Sequence, residues 1–198
     1  MVRREVRGPR RLESAPRPGE PNLSAALDAL APRFREAIVA AAEAYERAGV
    51  RAVLIGGLAS SAYGRPRTTR DIDFLVGDEA WVSHGVVISL RAGIPQEACQ
   101  VPIDTIPIPD QYRELYERAI DDAIESDVRG VLIARPEWVA VTKLAGGRAH
   151  DVAAVADMMR AGVVDIHRLS LLLGDRVSPR DRLRVTLERA WEEAQREE

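Results

Sequence analysis

The sequence predicts an α+β fold: a small mixed β-sheet flanked by helices, with a helical C-terminal part. Short apolar runs rich in β-branched residues lie in the first half and middle of the chain. Helical periodicity dominates before and after them. No internal repeat and no glycine-serine linker divides the 198 residues, which fits strands and helices segregated around one core. The expected organisation is an arginine- and proline-rich disordered tail at 1–21, a sheet-bearing core at 22–134, and a helical region at 135–198 packed on that core.

Residues 1–21 alternate Arg3, Arg4, Arg7, Arg10, Arg11 and Arg17 with Pro9, Pro16, Pro18 and Pro21, without an apolar period, and read as a solvated arm. Asn22 or Ser24 is placed to cap a helix over 23–48. There Leu27, Leu30, Phe34, Ile38, Ala41 and Tyr45 share one face, with Pro32 as an interruption. A strand at 50–55 follows, then Gly56-Gly57, a short helix at 58–63, an arginine-rich loop at 64–70 and a strand at 72–76. Trp81 and Val82 suggest a short helix, 86–90 a third strand, and 99–106 a fourth that ends before Pro107. Residues 112–120 read as helix and 128–134 as extended chain. Pro136 is well placed to start a helix to 145. Further helices are expected at 150–160, 165–173 and 178–195.

Composition narrows the function. A 46% hydrophobic content supports a packed core, and the net charge of −3 gives no global field for nucleic acid. No apolar run approaches the ~18 residues of a membrane span, and the arginine-rich start lacks the apolar stretch of a secretory signal. A cytoplasmic protein with no membrane contact is expected. Cys99 is the single cysteine, which excludes an internal disulfide and a cysteine zinc site. His84, His150 and His167 show no ligand spacing. Of the 28 basic residues only Lys143 is lysine, so arginine serves wherever a generic surface cation is wanted.

The informative segment is 53–76, VLIGGLASSAYGRPRTTRDIDFLV. Two glycines at a strand end let the backbone approach a phosphate without a Cβ in the way. The helix that begins there supplies unpaired N–H groups and a positive dipole end, and Ser60 or Ser61 offers a hydroxyl. Asp71 and Asp73 stand two apart, so both carboxylates face the same side of a strand. Paired hard oxygens suit Mg²⁺, which takes phosphate oxygens as co-ligands. Two ions ~3.5–4 Å apart call for a further acid, and Asp104, alone among the apolar residues 101–106, is the best-placed candidate. Arg65, Arg67 and Arg70 lie between the glycines and the acids, and their forks match phosphate oxygens.

This arrangement resembles the nucleotidyltransferase superfamily, with its polymerase-β-like fold. The signature is a glycine pair after a strand, about a dozen residues, an Asp-hydrophobic-Asp, and a later third Asp. Thirteen residues separate Gly57 from Asp71. The likeness is nearest to small bacterial AbiEii-type proteins of type IV toxin–antitoxin pairs, through Arg67, Thr69, Asp71 and Asp73 and through Lys143, Leu144, Arg148 and Asp151. It covers about residues 50–160. Many superfamily members carry Gly-Ser where this chain has Gly56-Gly57, so a serine contact at that point is missing.

The resemblance implies a metal-dependent enzyme that moves a nucleoside monophosphate from a nucleoside triphosphate (NTP) to an acceptor hydroxyl. Asp71, Asp73 and Asp104 would hold two Mg²⁺ ions, with Lys143 as a further catalytic group. Gly56, Gly57, Ser60, Ser61, Arg67, Thr69 and Asp151 would serve the nucleotide. The acceptor would be tRNA or a protein, and the partner a cognate antitoxin. Two other readings stand beside it: transfer to an aminoglycoside-like small molecule held by Asp121, Asp122 and Glu125, and a non-catalytic nucleotide- or partner-binding module on the same fold.

Overall fold

The computed structural model describes residues 20–64 and 68–196; Arg65, Arg67 and residues 1–19 of the expected tail lie outside them. Among the described residues a six-stranded mixed sheet runs in the order β5 (Glu97–Ala98), β6 (Val101–Ile106), β2 (Ile72–Val76), β1 (Ala52–Leu54), β8 (Leu132–Ile133), β7 (Ile124–Glu125), beside a two-stranded hairpin of β3 (Trp81–His84) and β4 (Val87–Leu90). The α+β expectation holds.

Helix α1 (Leu23–Asp28) is capped twice over. The Asn22 side chain accepts from the Ala25 N–H at 2.9 Å, and the Asp127 carboxylate accepts from Leu23 and Ser24 N–H groups at 2.8 and 3.1 Å. A residue distant in sequence thus closes orphan donors of the first turn. The helical stretch expected over 23–48 is interrupted around Pro32, as the sequence indicates: Pro32 offers no N–H to continue α1, and α2 (Arg33–Arg47) begins just after it. Phe34, Ala37, Ile38, Ala41 and Tyr45 are buried along α2.

Strand β1 (Ala52–Leu54) leads into α3 (Gly56–Tyr63), then β2 (Ile72–Val76). β2 pairs antiparallel with β1 and parallel with β6 (Val101–Ile106). Tyr45 packs its ring 5.2 Å from that of Phe74, and its hydroxyl lies 2.7 Å from the Thr105 hydroxyl. Helix α2 therefore covers the sheet face that carries Phe74 and Thr105. Strand alternation sends Asp73 and Asp104 to the other face.

The region 78–90 departs from expectation. Trp81 and Val82 belong to β3 (Trp81–His84), not to a helix; a single 3₁₀ turn, Asp78–Ala80, precedes it. β3 pairs antiparallel with β4 (Val87–Leu90) around Gly85, whose φ is +72°. A glycine at positive φ followed by β-branched residues favours a hairpin over a helical turn. Cys99, expected in a strand, sits instead at φ +48° in the turn between β5 (Glu97–Ala98) and β6.

Helix α4 (Arg113–Asp121) and the two-residue strands β7 (Ile124–Glu125) and β8 (Leu132–Ile133) complete the sheet side, with β8 parallel to β1. Helices α5 (Pro136–Gly146), α6 (Ala149–Arg160), α7 (Ile166–Leu173) and α8 (Arg182–Gln195) follow. α8 starts later than Ser178, because Asp181 is the side chain that caps it, at 2.8 Å from the Leu183 N–H. The Thr186 hydroxyl donates to the Leu144 carbonyl at 2.9 Å, and Arg182 donates to that of Gly146. Carbonyls in the last turn of α5 are thus satisfied from α8, which fixes the helix that carries Lys143.

Replacing Asp127 by alanine removes the long-range cap of α1 while leaving Asn22 in place. The expected loss is about 1 kcal/mol of stability, read as a lower midpoint in thermal or urea denaturation.

Candidate active site

β2 and β6 run parallel with Asp73 opposite Asp104. Neighbouring strands lie about 4.8 Å apart, so these carboxylates are adjacent on one face. Asp104 is exposed and Asp73 half-buried. Asp73 is tucked against the start of α3. A Cβ on Gly56, which holds φ +71°, would come within 1.8 Å of Asp73 Oδ2. The same oxygen accepts from the Gly57 N–H at 3.4 Å. Only a residue without a side chain, and tolerant of positive φ, admits the carboxylate here.

Asp71 precedes β2, and its carboxylate is oriented by Thr69, whose hydroxyl lies 3.1 Å from both Asp71 Oδ1 and the Asp71 carbonyl. Thr69 also borders Gly57, where a Cβ would meet its Oγ1 at 3.0 Å. Burial first, and then the charges of Asp71 and Asp104, raise the Asp73 pKa to about 6, against the opposing Gly57 N–H and Lys143. Asp71 and Asp104 are thus near enough to Asp73 to disfavour its ionised form.

The opposing charge comes from the junction of α5 and α6. Gly147, at φ +64°, ends α5 in a left-handed cap, and Asp151 sits in the first turn of α6. The Asp151 side chain is only 2% exposed. Lys143 Nζ lies 3.7 Å from Asp151 Oδ1, and Arg148 Nε lies 2.7 Å from Oδ2. His150 Nε2 stands 3.6 Å from Oδ1. Burial pulls the Lys143 pKa below its usual value, while Asp151 and then Asp73 hold it up. Lys143 is thus paired with the buried Asp151 and lies within the field of Asp73.

The sequence-predicted residues divide clearly. Gly56, Gly57, Thr69, Asp71, Asp73, Asp104 and Lys143 come together at one end of β2. Ser60 and Ser61 are buried, and both donate back to the Gly57 carbonyl, at 2.9 and 3.0 Å; these bonds tie them to their own helix. Asp151 is enclosed by cations and does not open toward a nucleotide. Arg67 lies outside the described residues. In the sequence Arg148 stands out only as a motif match. Its three-residue spacing to Asp151 at a helix start was the available signal of an anchored guanidinium.

No protein-family model matches the chain, and no curated protein matches it.

Carboxylate oxygens suit Mg²⁺, and Asp71 and Asp104 stand near enough to Asp73 for their charges to add to the burial that raises its pKa. The donors fit the ion chemically. Among the described residues no ready-made group of three or more His, Cys, Asp or Glu side chains is gathered for a metal, and Asp71 turns toward Thr69. A cavity of about 320 Å³ lies elsewhere, between the start of α6 and α8, lined in part by Gly147, Ala149, Arg189 and Glu193.

Gly56→Ala is expected to cost about 2–4 kcal/mol through left-handed strain and the clash with Asp73; Gly57→Ala should cost clearly less. Urea denaturation of the two variants checks this. Because folding raises the Asp73 pKa, its ionisation opposes folding as pH climbs from about 4 to 6. Asp73→Asn should therefore be more stable than the parent by about 1–3 kcal/mol above pH 6. The gain should vanish below pH 4, as read by thermal melts across pH.

Proposed function

We propose that this chain is a metal-dependent nucleotidyltransferase, moving a nucleoside monophosphate from an NTP to an acceptor hydroxyl with release of pyrophosphate. The observation that carries this reading is the register of β2 and β6. It sets Asp73 beside Asp104 at the N-terminus of α3, with Lys143 facing them. Stable proteins gain little from assembling carboxylates at a cost to folding, and such clusters are characteristic of working sites.

Asp71, Asp73 and Asp104 would hold Mg²⁺, two ions in the superfamily pattern, which when bound neutralises charge on the triphosphate and lowers the barrier to displacement at phosphorus. Gly56 and Gly57 let the phosphates approach the backbone at the start of α3. Asp104, the exposed member, accepts the proton of the acceptor hydroxyl as its oxygen bonds to the α-phosphorus. The bond from the α-phosphorus to the bridging oxygen breaks, and pyrophosphate carries that electron pair away. Lys143 stabilises the charge that accumulates on the phosphate oxygens. Thr69 fixes the orientation of the Asp71 carboxylate through Oδ1.

The acceptor follows from the resemblance alone: a tRNA end or a protein hydroxyl, with a cognate antitoxin as partner. A cationic aminoglycoside-like acceptor draws no support from Asp121 and Asp122. Asp121 is paired with Arg51 at 2.8 Å, and Asp122 accepts from Trp138 Nε1 at 3.0 Å. Among the described residues no helix is long and apolar enough to cross a membrane.

Labelled NTPs incubated with Mg²⁺ and total tRNA or cell lysate should yield a labelled acceptor. Asp73→Asn and Asp104→Asn should each lower the rate by about 100-fold or more, and a chelator should stop transfer. Label confined to a small cationic polyol would move the acceptor to that class. NTP binding without transfer to any acceptor would leave a binding module.

A further inference from the structure

We propose that Arg148 is the triphosphate-gripping arm of this site, anchored through Nε to the buried Asp151 so that its two Nη groups are left for phosphate oxygens. The inference rests on the nucleotide reading above and adds a residue to it.

The charge count around Asp151 points this way. Its carboxylate is 2% exposed, and Lys143, itself 9% exposed in its side chain, supplies one buried counter-charge. One cation suffices to neutralise one carboxylate, yet Arg148 adds a second at the closer distance of 2.7 Å. Taken by themselves, Lys143, Arg148 and Asp151 sum to one positive charge, on the side that faces Asp73 and Asp71.

That charge is displayed outward. The Arg148 side chain is 69% exposed although its Nε partner is buried. Among the described residues neither Nη has a hydrogen-bond partner. The guanidinium also lies within the field of Asp73 and Asp71, which favour its charged form without bonding to it. Anchoring one edge of a planar fork removes much of the rotamer freedom that a free surface arginine loses on binding. The exposed edge retains the geometry that matches phosphate oxygens in pairs. A polyphosphate bearing a divalent cation is the ligand whose charges complement both halves, cation toward the carboxylates and oxygens toward Arg148. Gly146 completes the anchor, since a Cβ there would press on Asp151 Oδ2 at 3.1 Å.

The test measures binding by the full-length protein of an NTP, inorganic tripolyphosphate, the matching nucleoside and a short single-stranded RNA, each with Mg²⁺. Arg148→Ala, an exposed substitution, should weaken NTP and tripolyphosphate at least tenfold and leave the nucleoside unchanged. Arg148→Lys should recover only part of the loss, because an ammonium keeps the charge and lacks the fork. Equal triphosphate affinity in parent and Arg148→Ala overturns the assignment, as does an equal loss for nucleoside and triphosphate. A loss confined to the RNA also overturns it, moving Arg148 to the acceptor side. Failure of the parent itself to bind any triphosphate would remove the nucleotide reading and the inference with it.

Discussion

The parallel pairing of β2 with β6 is the constraint on which the site depends. It fixes Asp73 opposite Asp104 while placing Phe74 and Thr105 under α2. A slip of one residue would turn one strand over and send its acid to the face under α2, away from its partner acid. The apolar packing of α2 therefore holds the polar site in register: Tyr45, closed over Phe74 and bonded to Thr105, acts on the face opposite the acids.

Glycine then does for the carboxylate what register does for the strand. Gly56 turns at positive φ and leaves the volume that Asp73 fills, so the start of α3 and the acid are mutually dependent. On the other side, Gly146 and Gly147 end α5 and open room for Asp151 and for Arg182 of α8. Two glycine turns thus bring a negative cluster and a positive one together. The burial of Lys143 between Asp151 and Asp73 links them electrostatically. The carboxylates stand at a cost to stability that a bound cation would offset.

Legibility in the sequence followed locality. The strand–Gly-Gly–helix segment and Asp71 with Asp73 lie within one short stretch whose spacing alone orders them, and α5 with its Pro136 start is read from local pattern. Asp104 was identifiable as an isolated acid in an apolar strand; that it faces Asp73 depends on a pairing between strands far apart in sequence. The hairpin at Trp81–His84 and Val87–Leu90 was misread because two apolar residues after a helical turn carry no period long enough to separate helix from strand. The serines looked available in sequence, yet the short helix turns both hydroxyls back to Gly57. The burial of Asp151 was invisible for the same reason, since it follows from how α5, α6 and α8 meet.

Selective line broadening by Mn²⁺ in the NMR spectrum of the labelled protein, with a non-hydrolysable NTP analogue present, addresses the central claim most directly. The account predicts that amides of Gly56, Gly57, Asp73 and Asp104 broaden first, and that Mg²⁺ in excess restores them. Broadening centred elsewhere, with those four resonances unaffected, would contradict it.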